Sequence, residues 1–168
     1  KKASEWRRQR QVYHFAFLDI DNFKPINDQW GHDFGDDVLR CVTHAFNEVL
    51  GDDGFFIRMG GDEFALLFTS DDPERLLSSG MDAIHRRISL PAGNYEQNIA
   101  VSLGMISVLP DMPVVEDAVY RAADKALYEA KERKAGNARN LNLVRHTLRA
   151  GVDADSSNPE SVPVTSIY

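Results

Sequence analysis

The chain has 168 residues, 43% of them apolar and 27% charged, which is enough for one domain with a packed core. Its net charge of −7 argues against a nucleic-acid-binding module working through a broad basic face, and no apolar run approaches the ~18 residues that cross a bilayer. The one cysteine, Cys41, excludes an internal disulfide and suits a reducing compartment, so the cytosol is expected.

The chain opens on Lys rather than Met, so it is expected to be a piece of a longer protein, one that a membrane segment could tether. Residues up to about Arg10 read as the end of an amphipathic helix with a solvated basic face. Val12–Ile20, aromatic and aliphatic up to Asp19, predicts a strand. A loop punctuated by Gly31 and Gly35 is expected next, then a helix from Asp36 with apolar residues at Val38, Leu39, Val42, Phe46, Val49 and Leu50, closed by Gly51. Phe55–Met59 and Phe64–Thr69 predict a hairpin around Gly60-Gly61, since paired glycines support the positive backbone angles of a tight turn. Asp71 or Asp72 with Pro73 starts a helix through Leu77, Met81, Ile84 and Ile88, which Pro91, Gly93 and Asn94 end. A strand over Ile99–Val108, a helix over Val115–Lys134 and an edge strand over Leu141–Val144 complete the pattern. The order predicts a mixed α/β sheet with the antiparallel hairpin at its centre. Residues 1–148 are expected to form the domain and 149–168, polar and proline-bearing, a disordered tail.

The adjacent acids Asp62 and Glu63 sit at the mouth of an otherwise apolar hairpin. Two like charges held together out of water need a cation beside them, or else the turn points both into solvent. Asp19 ends the first strand, and if the two strands are neighbours its carboxylate and that of Asp62 converge. Two carboxylates with a backbone carbonyl such as that of Ile20 suit Mg²⁺, which keeps waters and binds substrate phosphates. An EF-hand reading of Asp19, Asp21 and Asn22 fails because Phe23 occupies a ligand position and Lys24 the required glycine. Cys41 and His44 share a helical face but lack partners for a zinc site.

Four stretches carry a resemblance. "DIDNFKPIND" from Asp19 is followed by "GHDFGDDVL" from Gly31, then by "RMGGDEF" from Arg58 and "RAADKALYEAK" from Arg121. Together they resemble the GGDEF domain family of diguanylate cyclases over roughly residues 10–145. The resemblance implies a largely antiparallel five-stranded sheet flanked by helices, similar to the nucleotidyl cyclase and polymerase palm. It also implies condensation of two GTP into cyclic di-GMP on two Mg²⁺ (Mn²⁺ could serve), by a homodimer of GTP-loaded domains under an upstream sensory domain. The implied metal ligands are Asp19, the Ile20 carbonyl, Asp62 and Glu63, the last two also catalytic. Phe23, Lys24, Asn27, Asp36, Gly60, Gly61 and Lys131 are the implied substrate contacts, with Asn27 and Asp36 reading guanine.

Three departures from the family pattern stand out. Gly51 and Gly54 occupy the expected Arg and Asp positions of the inhibitory product site, so no product feedback by that route is expected. Ala135 stands at an expected phosphate-binding Arg, for which Arg139 is the nearest substitute. The family's Asp-x-Leu-Thr-Gly-Leu-x-Asn-Arg segment is absent, as in a chain truncated at its N-terminal side. The alternative to a cyclase is therefore a weak or inactive module that binds GTP for regulation.

Overall fold

The computed structural model describes residues 2–92, 95–110, 115–133 and 140–148 of the protein. Its five-stranded sheet comprises β1 (Tyr13–Ile20), β2 (Gly54–Gly60), β3 (Glu63–Phe68), β6 (Val101–Val108) and β7 (Leu141–Leu148), in the order β2-β3-β1-β6-β7. All neighbours are antiparallel except β6 and β7. The expected mixed, largely antiparallel sheet is observed. Its hairpin, however, lies at an edge, and the central strand is β1, which is apolar on both faces and pairs on both sides.

Alternation along β1 sends Ala16, Leu18 and Ile20 to one face, where α2 (Phe23–Trp30), α3 (His32–Leu50) and α4 (Pro73–Arg87) close the main core. The other face takes α1 (Lys2–Arg8) through Trp6 and α5 (Glu116–Arg133) through Val119 and Ala123. Burying each large side chain of the main core, such as Phe46, Phe64 or Leu77, contributes roughly 1.5–3 kcal/mol. Phe56 is sandwiched between Phe46 and Phe64, with ring centroids 5.1 and 4.8 Å away. That stack pins the edge hairpin to α3 and so fixes where its turn projects.

All eight residues of β6 are buried, because helices cover both its faces. Gly104 lets α5 lie directly on this strand: a Cβ there would fall 2.1 Å from the Leu127 backbone nitrogen. Ala126 and Ala130 continue the close approach beside Val144. The last turn of α5 is thereby carried toward the end of β1 that bears Asp19.

Four expectations need correction. The loop expected after Asn22 is helix α2, and α3 starts at His32 rather than Asp36, with Gly35 inside it. Pro25 falls in the first turn of α2, where its missing N–H costs no helical bond. Helix α4 stops at Arg87, and Pro91 belongs to β4 (Leu90–Ala92), which pairs with β5 (Tyr95–Gln97). Strand β7 runs to Leu148, beyond the expected Val144, because it pairs with β6 along its whole length. Gly93, Asn94, Lys134, Ala135, Arg139 and the expected tail at 149–168 lie outside the described residues. Among the described residues, no helix is long and apolar enough to cross a membrane.

Candidate active site

Strands β1 and β3 are neighbours, with Asp19 opposite Glu63 in register. The Ile20 N–H donates to the Asp62 carbonyl at 3.2 Å, which ties the end of β1 to the hairpin turn. The two residues of that turn are Gly61 and Asp62, one position later than the expected Gly60-Gly61, because the ladder shifts register between Arg58 and Gly60. Gly60 and Gly61 have φ of 154° and 54°, and a Cβ on either would meet nothing within 4 Å. Backbone conformation, not crowding, requires glycine here. The open space leaves the turn accessible to a ligand. Arg58 latches the turn by donating from Nε to the Gly61 carbonyl at 2.9 Å, a contact that sequence reading did not assign.

Asp19 is 8% exposed, and Asp62 lies within hydrogen-bonding reach of its carboxylate. Burial first, and then the contact with and charge of Asp19, push the Asp62 carboxyl up to about 6; Glu63 adds a smaller push. One Asp19 oxygen, Oδ2, is paired with the Lys131 ammonium from the last turn of α5. The other, Oδ1, is buried without a hydrogen-bond donor. Burial pulls the Lys131 pKa down, but Asp19, Asp62 and Glu63 together hold it above its ordinary value. Glu63 is exposed, which separates it from the half-buried Asp62.

This pair of carboxylates suits a hard divalent cation. Among the described residues no cluster of three or more His, Cys, Asp or Glu side chains forms a closed cage. Mg²⁺ does not need one, since it is commonly held by one or two carboxylates, waters and substrate phosphates. The orphaned Asp19 Oδ1 and the raised Asp62 carboxyl both fit a positive charge held between these two side chains.

Asp21 serves a different purpose. It is 7% exposed and accepts from Ser102 Oγ at 2.8 Å and Asn142 Nδ2 at 3.0 Å, while its N–H donates to the Ala100 carbonyl at 2.9 Å. These bonds rivet the turn after β1 to β6 and β7. Asn22 then takes a left-handed φ of 56°, and α2 begins. Nothing local to Asp21 signals this role, because its partners lie 81 and 121 residues along the chain.

Helix α2 presents Phe23 half-buried, Lys24 exposed and Asn27 half-buried; Asp36 is exposed early in α3. The Asn27 side chain lies over Gly35, next to Asp36 in sequence, so the two helices bring the amide and carboxylate positions together. The expected product-site positions carry no side chains: Gly51 caps α3 with φ of 53°, and Gly54 opens β2 against Phe68. Cys41 and His44 line a separate open groove of about 480 Å³ with Asp37, Arg40, Arg87 and Ile88. Its arginines are paired with Asp37 and Glu48, and burial raises the Cys41 thiol pKa, so the groove shows no reactive centre.

Comparison with known proteins is consistent across sequence and structure. The family described as "Diguanylate cyclase, GGDEF domain" matches residues 1–137. A Vibrio cholerae protein named diguanylate cyclase is 35% identical over 125 residues, which cover 74% of this chain and 39% of that protein. The cyclic di-GMP phosphodiesterase PdeR of Escherichia coli is 40% identical over 119 residues, covering 70% of this chain and 18% of that one. The chain thus spans well under half the length of either relative. Among solved structures, the GGDEF domain of DgcB from Caulobacter crescentus in complex with c-di-GMP superposes with a TM-score of 0.65 at 30% identity, covering 84% of this chain and 82% of that one.

Proposed function

The chain belongs to the GGDEF diguanylate cyclase family, and from that membership we propose that it condenses two GTP into cyclic di-GMP with release of two pyrophosphates. The observation that carries the proposal is the pairing of Asp19 with Asp62 beside an open glycine turn, with one buried carboxylate oxygen left without a donor.

In the proposed reaction, each ribose 3′-hydroxyl passes its proton to the Asp62 and Glu63 carboxylates, and from there to water, as it attacks the α-phosphorus of the other nucleotide. The new oxygen–phosphorus bond forms as the bond to the departing pyrophosphate breaks. Asp19, the Ile20 carbonyl, Asp62 and Glu63 would hold two Mg²⁺, or Mn²⁺ on the same oxygens. Such ions, when bound, acidify the hydroxyl and neutralise charge on the leaving group. Lys131, ion-paired with Asp19, would turn to phosphates arriving beside that carboxylate. Lys24 and the first backbone N–H groups of α2, at Phe23, supply further positive potential for the triphosphate.

Asp36 would read the base. Guanine offers N1–H and N2–H₂ as adjacent donors to a carboxylate, whereas adenine presents an acceptor at N1. The mismatch loses both donors to the carboxylate and sets two acceptors against each other, which disfavours ATP. One domain holds one GTP, so two domains must meet face to face as a homodimer. An upstream sensory segment would control that meeting, and the cytosol, where GTP is available, is the proposed location.

A second reading is a GTP-binding regulatory module without turnover. It draws on the match to PdeR, a relative named for phosphodiesterase activity. Retention of Asp19, Asn27, Asp36, Asp62 and Glu63 favours the cyclase. Incubation with GTP and Mg²⁺ should yield cyclic di-GMP, with specific activity falling on dilution. Binding of GTP without product would select the regulatory module instead, and flat specific activity across a wide dilution series would rule out the two-domain mechanism. With glycine at both positions 51 and 54, added cyclic di-GMP should inhibit only by competing with GTP; inhibition that excess GTP cannot relieve would contradict this.

A further inference from the structure

Gly35 lies within α3 and is buried, and its backbone is not in the left-handed region. Helix interiors disfavour glycine relative to alanine, so local conformation does not explain the residue. The explanation lies across the α2–α3 contact. A Cβ on residue 35 would fall 1.7 Å from Asn27 Oδ1 and 2.8 Å from Asn27 Cγ. The Asn27 amide therefore rests directly on the bare Cα of Gly35. Among the described residues no hydrogen bond engages that amide, which leaves its polar atoms available to a ligand.

We propose that Gly35 is a specificity-determining positioning residue, the seat that holds the Asn27 amide beside the Asp36 carboxylate so that both meet one guanine base. A carboxylate and an amide side by side complement an edge on which the acceptor O6 adjoins the donors N1–H and N2–H₂. A methyl group at residue 35 displaces the amide rather than unfolding the helix, since the atom it meets is the free end of a side chain. Loss of placement and loss of fold are thus separable. This inference rests on the reading that Asn27 and Asp36 take the guanine.

The test uses calorimetric binding of α,β-methylene GTP, which cannot be condensed, and of its adenine counterpart, both with Mg²⁺. Gly35→Ala should weaken the guanine analogue by about tenfold, the scale of one lost hydrogen-bond partner, and leave the adenine analogue unchanged. Asn27→Ala should do the same. Adding Gly35→Ala to Asn27→Ala should cost nothing further, and the double variant should melt no lower than Asn27→Ala alone. Wild-type affinity in Gly35→Ala, or an equal loss for both analogues with a lowered Tm, would overturn the proposal while leaving the guanine reading intact. If Asn27→Ala itself binds the guanine analogue like wild type, the guanine reading falls and the seat with it.

Discussion

Strand β1 carries a buried titratable group near each end, and the two ends are built on opposite principles. Near its start, His14 is 1% exposed with both ring nitrogens bonded. Nε2–H donates to the Ser70 carbonyl at 3.0 Å, so Nδ1 accepts from Ser107 Oγ at 2.8 Å. Ser107 in turn accepts from Arg145 Nε at 2.8 Å, and Arg145 is ion-paired with Glu74 at 3.6 Å. Near the other end, Asp19 keeps an oxygen with no donor and stands against a second carboxylate. Satisfied polar groups lock one arrangement of the strands. Unsatisfied ones cost stability and persist where a ligand completes them. The same strand is architecture at one end and, on the proposed reading, a binding site at the other.

The sharpest way to break this comparison is Asp62→Asn. It should lower cyclic di-GMP formation by ~10³-fold or more, as when one member of a set acting as a unit is removed. It should also stabilise the metal-free domain. The folded-state pKa of Asp62, about 6, lies above its ordinary 3.8, so its favourable contribution is complete only below 3.8 and is lost as pH rises through 6. At neutral pH the charge pair is a penalty, and after discounting for solvent around this half-buried group its relief is worth about 1 kcal/mol. A chelator-treated variant with unchanged or lower Tm would remove the argument for strain at this end.

The His14 end should respond to pH in the opposite sense. Burial, helped by the Arg145 charge and opposed by the Ser70 hydrogen bond, lowers the His14 pKa from 6.5 to about 4. The unfolded chain then binds the proton more readily, so stability falls as pH drops from 6.5 toward 4, by about 3 kcal/mol in all. Urea unfolding at several pH values in the Asp62→Asn background isolates this slope from the opposing one. A flat profile there would show that His14 is not held neutral.

A smaller effect is expected from Ser107→Ala, which strips one partner each from His14 and Arg145 and should cost about 1–2 kcal/mol of unfolding free energy, read from urea titration. Cyclic di-GMP formation, assayed below the melting range, should be unaffected. A loss of activity without a loss of stability would couple the two ends and blur the distinction between them.

Much of the fold was legible because its signals are local. The apolar run of β6, Asp72 and Pro73 at the start of α4, and the glycines at the hairpin mouth each declare themselves within a few residues. Helix α2 was hidden because "FKPINDQW" mixes a proline with polar residues, and only docking against α3 makes it helical. Burial of Phe23, Ile26 and Trp30 against the core supplies what propensity does not.

The sequence by itself determined the elements of the sheet, the acids at the ends of β1 and the hairpin, and the family resemblance, since all of these reside in short stretches of chain. Only the tertiary structure decided that the hairpin lies at the sheet edge, that Lys131 covers Asp19, that Asp21 rivets three strands and that Gly35 seats Asn27. Each of those facts is a contact between residues on different elements. Strand order and helix docking, which follow from burying both faces of β1 and β6 at once, bring such residues together.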